Sequence, residues 1–370
     1  MGKKIYLILS FDHELSLGGV SSYSKNLFDP ANRILELADK INVPITYFTD
    51  ILCALKFRDW DNINFYKPYK KQIQQTLLAG HDVQLHLHPH WIDSTWEDGK
   101  FKPSKAYGLG SFKDRQPPNN ISGIVKQGTD LLKEICNEAI PNYKCIAYRA
   151  GGYNFSPCTE DILEALYANG IRIDSSVAKG FCFASNISKV NYRQMPKAAN
   201  WTIPLNGPLS AESLHGLYEI PIASSPRNIL NNIPFLIKRV LYKRRSFDSG
   251  GRGIHEGNTS KLLKLKRLFP KTAWMVSFDD YAINNKDLHK ILGCHLKKHK
   301  NEDTVIASTI SHPKAMGSYN LELMKEFVES VREKYEGKIV FSTYRKIYES
   351  QLNKAQKGES VEKAHTRIDP

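Results

Sequence analysis

Gly80-His81-Asp82-Val83-Gln84-Leu85-His86-Leu87-His88-Pro89-His90-Trp91 is the stretch that decides the fold. Four of the chain's 12 histidines fall within it. Val83, Leu85 and Leu87 alternate with Gln84, His86 and His88, the period of a β-strand. His86 and His88 therefore share one face, with His90 close behind. Pro89 disfavours a helical conformation at His88, so the strand breaks into a loop here. Imidazoles converging at a strand end suit a borderline-soft divalent cation such as zinc.

The segments on either side repeat one pattern. Residues 4–11 form a continuous apolar run, as in a strand buried on both faces. Asp29-Pro30 reads as an N-cap with proline at the first helical position, and Ile34, Leu35, Leu37, Ala38 and Ile41 supply an apolar helix face. Residues 43–49 give a second strand ending at Asp50, and 69–79 a helix that stops at Gly80. Beyond the histidines, residues 92–120 read as a long loop, 121–138 as a helix and 144–148 as a strand. A helix over 156–169 closes at Gly170 before a short strand at 171–173. A later strand covers 304–310.

Strands and helices alternating at this spacing predict a parallel sheet or barrel of βα units, with chemistry at the carboxyl ends of the strands. The polar clusters lie there: Asp12-His13-Glu14, residues 86–90, Arg149 and His312. Residues 180–270 interrupt the alternation and read as an insertion shaping a substrate cleft. Residues 354–370 are polar, lack periodicity and read as a disordered tail. One catalytic domain over residues 1–353 is expected.

At 370 residues and 41% hydrophobic content the chain is long enough for a substantial core. No apolar run reaches the roughly 18 residues that a membrane-spanning helix needs. The N-terminus joins a short apolar run directly to Phe11-Asp12-His13-Glu14 and has no small-residue cleavage site, so it reads as a first strand and not a signal peptide. Six scattered cysteines without a C-x-x-C pair read as reduced thiols in a cytoplasmic protein. Lys and Arg exceed Asp and Glu, 52 to 38, for a net charge of +14. That excess implies an anionic partner, such as a nucleotide- or lipid-phosphate-linked substrate. Residues 233–245 mix cationic and apolar residues at helical spacing, as in a peripheral contact with an anionic inner-membrane surface. No nucleic-acid motif accompanies the charge.

Leu9-Ser10-Phe11-Asp12 resembles the Thr-Phe-Asp-Asp opening of the polysaccharide deacetylases, the NodB-homology or carbohydrate esterase 4 group. Val43-Pro44-Ile45-Thr46-Tyr47-Phe48 looks like their second strand, and residues 80–90 resemble their Gly-His-Glu-Ile-x-x-His-x-x-x-His metal motif. Tyr148-Arg149-Ala150-Gly151-Gly152 stands where they carry an Arg-containing loop. Ile173-Asp174-Ser175-Ser176 and Ile310-Ser311-His312-Pro313 resemble the last two motifs. The match runs in order over roughly residues 4–350 and looks most like the WbmS-type proteins of lipopolysaccharide O-antigen gene clusters.

The resemblance implies an α/β fold, a distorted (β/α)7 barrel, with one divalent ion, usually zinc, that removes N-acetyl groups from amino sugars. It implies Asp12 as general base, His312 as general acid, Arg149 holding Asp12 and Asp174 orienting His312. His86 and His90 would be metal ligands. The family's second Asp is His13 here, followed by Glu14; an extended strand puts residues 12 and 14 on one face, which favours Glu14 as third ligand over His13. His88, Trp91, Gly151, Gly152 and Tyr153 are expected at the substrate, with backbone N–H groups near Gly151-Gly152 facing an oxyanion. Val276-Ser277-Phe278-Asp279-Asp280 matches the opening motif by letters but follows the histidines, so it reads as a strand end where Asp279 or Asp280 meets substrate. The expected reaction is deacetylation of an acetamido sugar in cell-surface polysaccharide assembly. Deformylation of a lipid-linked sugar and hydrolysis of a cyclic amide use the same site, and a carbohydrate-binding relic would keep the fold without turnover.

Overall fold

In the first strand, β1 (Lys4–His13), alternate residues serve two different cores. Leu7, Leu9 and Phe11 pack outward against helices, whereas Ile8 points into an inner cluster with Phe48, Ala147, Ile173, Ile220 and Ile306. Such two-sided burial is what a barrel strand requires, and it explains the unbroken apolar run in the sequence. The computed structural model describes residues 3–16, 20, 22–184, 188–227, 273–279 and 284–352. Residues 233–245, Asp280 and the 354–370 tail, all singled out by sequence, lie outside the described residues.

Around β1 run β2 (Ile45–Asp50), β3 (Asp82–Leu87), β6 (Ala147–Ala150), β7 (Ile173–Asp174) and β11 (Leu217–Glu219), each parallel to the last. On its other edge β1 pairs in parallel with β14 (Thr304–Ser308). The ring closes between β11 and β14. Ile222 bridges Ser308 in parallel, and Ala223 N–H donates to Ser308 O at 2.8 Å. The result is an α/β barrel in which β1, β2, β3, β6, β7, β11 and β14 form the ring. Two further strands join the sheet: β10 (Trp201–Ile203) lies antiparallel on β11, and β15 (Ile339–Phe341) pairs with the start of β1.

Helices α1 (Asp29–Lys40), α2 (Ile51–Trp60), α3 (Lys67–Leu78), α4 (Ile121–Asn137), α5 (Thr159–Ala168), α6 (Asn285–Lys298) and α7 (Ser318–Lys334) accompany the strands. The short α8 (Tyr344–Ile347) places Tyr344 and Ile347 in the inner cluster.

Four readings of the sequence need correction. Asp29 is already helical, since a π-helical turn at Ser24–Phe28 runs into α1; its carboxylate accepts from Ser24 Oγ at 2.7 Å. Helix α2 has no counterpart in the sequence reading, because Ile51, Leu52, Cys53, Ala54 and Phe57 are all buried and leave little polar periodicity to detect. The segment over 180–270 is more than an insertion, because β11 within it belongs to the barrel ring. Its strands among the described residues are three residues long, too short to show a period. The loop at 92–120 also carries a small hairpin, β4 (Thr95–Glu97) with β5 (Lys100–Lys102). The six cysteines are free thiols.

Candidate metal centre

Strand β1 ends in Asp12-His13-Glu14, and the pleat sorts these three side chains. His13 points outward, stacked between Tyr47 and Tyr69 at ring separations of 5.1 and 4.9 Å, with Nε2 2.8 Å from Gln72 Oε1. Burial lowers its pKa to about 4. His13 is thus removed from the barrel interior and is no metal ligand. Asp12 and Glu14 face the other way.

Glu14 Oε2 meets two imidazoles. His86 Nε2 lies 3.1 Å away, and His88 Nε2 also contacts this oxygen. The ligating atoms of Glu14, His86 and His88 all lie within 4.8 Å of one another, the one such metal-capable group among the described residues. Glu14 Oε1 instead accepts from Lys314 Nζ at 2.7 Å. Burial pushes the Glu14 carboxyl up, but Lys314 and the imidazoles outweigh it and hold the group well below the usual carboxylate range.

The donor set fits a divalent cation. His86 Nδ1 lies 2.8 Å from the Arg149 carbonyl oxygen, which can only accept. Nδ1 therefore carries a proton, which leaves Nε2 to give up its own proton and offer a lone pair to a bound cation, the tautomer that metal-binding histidines adopt. Burial disfavours charge on His86, yet Asp12 and Glu14 raise its pKa overall, an excess of negative charge that a bound cation relieves.

His90 does not join this group. It is fully buried beside His88, Trp91 and Tyr107, and neither ring nitrogen has a hydrogen-bond partner. Burial and the neighbouring His88 lower its pKa to about 2. The correction has a simple cause. His88 is still extended (φ −108°, ψ 92°) after β3, so the two-residue period carries it onto the face of His86; the 3-10 turn Pro89–Asp93 then carries His90 aside.

Asp12 is held from below. Arg149, fully buried, donates from Nη1 to Asp12 Oδ1 at 2.9 Å. Its Nε donates to Ser175 O at 2.9 Å, and Nη2 reaches Ser175 Oγ, Ser308 Oγ and the Tyr344 hydroxyl at 3.1, 3.0 and 3.3 Å. The guanidinium lies 4.2 Å from the Phe48 ring centre. Asp12 Oδ2 is left facing His312 Nε2 at 3.8 Å, and the same nitrogen is 3.7 Å from Glu14 Oε1.

His312 has a different partner from the one expected. Asp279 Oδ2 lies 2.7 Å from His312 Nδ1 and accepts its backbone N–H at 2.9 Å. Burial lowers the imidazole's pKa, but Asp279 first, then Glu14 and Asp12, raise it to about 9. Asp174 is elsewhere: fully buried, it accepts from Ser176 Oγ at 2.7 Å and from Ser176 N–H at 3.1 Å. The Ser176 hydroxyl in turn accepts the Ala150 N–H at 2.8 Å, so Asp174 braces the Arg149 loop.

Trp91, expected at the substrate, is fully buried among Phe57, Trp60 and Phe101. Gly151 is needed for close packing: a Cβ there would sit 2.6 Å from Leu87 O and 2.8 Å from His88 Nδ1. Gly152 and Tyr153 follow with positive φ of 61° each. Burial, followed by the charges of Asp12 and Asp279, raises the Tyr153 hydroxyl well above its ordinary range.

Two residues escaped the sequence reading. Lys314 follows His312 by two positions on the 3-10 turn Pro313–Ala315. Asp50, opposite His86 in the β2–β3 register, accepts from Trp91 Nε1 at 2.6 Å and from His88 N–H at 3.3 Å. A carboxylate at the end of a barrel strand is the signal that would have found Asp50.

No protein-family model matches the chain, and no curated protein matches its sequence. Solved structures do match it in shape. Fold and site together define an α/β barrel with a metal-capable group at the carboxyl ends of its strands. A Mycobacterium smegmatis protein assigned to the polysaccharide deacetylases superposes with a TM-score of 0.51 at 13% identity, over 96% of this chain and 92% of its own. An allantoinase gives 0.48 at 11% identity, over 94% and 92%, and a Pseudomonas aeruginosa protein of the deacetylase assignment gives 0.46 at 11% identity, over 94% and 92%. At these identities the first likeness is one of fold, and the chemistry rests on the site.

Proposed function

We propose that the protein is a metal-dependent amide hydrolase that removes the N-acetyl group from an acetamido sugar during cell-surface polysaccharide assembly. The observation that carries this reading is the convergence of Glu14, His86 and His88 beside a carboxylate fixed by arginine and an imidazole paired with aspartate. Glu14, His86 and His88 would hold the ion, most plainly zinc given two imidazoles and a carboxylate. When bound, the ion supplies Lewis acidity, polarising an amide carbonyl and acidifying water.

The chain's own residues supply the proton traffic. Asp12 takes the proton from attacking water through Oδ2, while Arg149 donates to Oδ1 and fixes the carboxylate. His312 delivers its Nε2 proton to the departing nitrogen; Asp279 holds its other nitrogen and fixes the ring. Tyr153 and the Gly151-Gly152 turn would meet the acyl group. A substrate carrying a nucleotide or lipid phosphate agrees with the net positive charge, and among the described residues no helix is long and apolar enough to cross a membrane.

Release of acetate or formate from acetylated and formylated amino sugars, free and nucleotide-linked, tests this reading. Zinc-dependent acetate release that Asp12→Asn abolishes is the expected result. Formate release alone favours a deformylase. No release from any amide, with zinc fully bound, favours a carbohydrate-binding role.

A further inference from the structure

The barrel carries a second acidic side chain beside the metal centre that the reaction above does not use. Asp50 is 1% exposed and closes β2. Burying a carboxylate is costly, so its two acceptor bonds identify what it does there. Strand β2 gives way to α2 at Ile51, and the strand ladder ends. The His88 N–H, one residue past β3, would then lack an acceptor; Asp50 Oδ1 takes it at 3.3 Å. Oδ2 takes the indole N–H of Trp91 at 2.6 Å. One carboxylate thus grips both ends of the turn from His88 to Trp91. Trp91 in turn is wedged among Phe57, Trp60 and Phe101.

The backbone of Asp50 is anchored as well. Its carbonyl oxygen accepts from the Tyr69 hydroxyl at 3.1 Å, and that hydroxyl also lies 3.1 Å from His13 O, so one side chain ties the ends of β1 and β2 together. Glu14 and His88 are carried by these two strand ends and the turn.

We propose that Asp50 is a positioning residue of the metal centre: through Trp91 and the His88 N–H it holds the imidazole of His88 against Glu14, and so sets the affinity for a divalent cation. This rests on the metal-hydrolase reading above. Asparagine at position 50 keeps the shape but offers one acceptor oxygen, and its NH₂ opposes either the indole or the backbone donor. Outer partners of this kind typically change metal affinity about 10–100-fold.

The test measures zinc affinity by competition with a chromophoric chelator on wild type, Asp50→Asn and Trp91→Phe, alongside the unfolding temperature of each metal-free protein and the Trp91 indole N–H resonance. Asp50→Asn is expected to bind zinc at least about tenfold more weakly and to shift the indole resonance, with Trp91→Phe weakening zinc in the same direction. A merely structural role would lower the unfolding temperature and leave zinc affinity unchanged, and that result overturns the proposal. If Asp50→Asn does not fold, Trp91→Phe decides by the same criterion. Wild type that fails to bind zinc overturns the metal reading itself, which is a separate outcome from wild type that binds zinc with indifferent variants.

Discussion

Asp279 and His312, 33 positions apart in sequence, are joined side chain to side chain at 2.7 Å, and Asp279 also accepts the backbone N–H of His312 at 2.9 Å. The other ring nitrogen, Nε2, looks toward Asp12 and Glu14. Three carboxylates therefore surround one ring, and they outweigh the burial that disfavours its charge.

The first prediction concerns that ring. In metal-free protein His312 titrates at about 9, against an ordinary 6.5. Because the folded value is raised, the associated stability is fully present below pH 6.5 and is lost as pH rises through about 9. Asp279→Asn is expected to move the titration well down and to flatten that pH dependence. NMR titration of the His312 ring reads it directly, and an unmoved value contradicts the pairing.

Arg149 gives a second. Its guanidinium is fully buried, and it is the cation hydrogen-bonded to Asp12. Arg149→Met leaves the Asp12 carboxylate without its cation and the hydroxyls of Ser175, Ser308 and Tyr344 without their donor. A loss of about 3–5 kcal/mol is expected, as for a broken buried pair. Denaturant unfolding of metal-free protein measures it; a change under about 1 kcal/mol would contradict the buried-pair account.

How far the sequence led can be judged at the two histidines after β3. The strand period alone placed His86 and His88 on one face, and that agrees with the structure. The family spacing pointed to His90, because a letter pattern does not register whether the chain stays extended for one more residue. In the same way the pleat puts Glu14, and not His13, on the side of His86 and His88. Asp174 was assigned to His312 by motif order, whereas Asp279 reaches it from a segment whose approach no local pattern encodes. The parallel βα alternation was legible because its strands are apolar runs separated by helices with an apolar face. Helix α2 and strand β11 were not, the one lacking a polar face and the other too short for a period.

Substitution of these histidines separates the readings. His88→Ala is expected to weaken zinc binding by more than the roughly 10–100-fold typical of an outer partner. His90→Ala is expected to stay within about tenfold of wild type. Isothermal titration with zinc measures both, and the reverse order would restore the motif assignment.

His13 supplies a control. It is stacked on Tyr47 and Tyr69 and bonded to Gln72, outside the barrel interior. His13→Ala should cost about 1–3 kcal/mol of stability from two lost ring pairs, while zinc affinity is retained. Thermal unfolding together with zinc titration checks it.

The most direct measurement is anomalous diffraction at the zinc edge from crystals of the protein grown with zinc. The account predicts one strong peak bonded to Glu14 Oε2, His86 Nε2 and His88 Nε2. A peak that excludes Glu14 or His88, or zinc bound only at other sites, would contradict it.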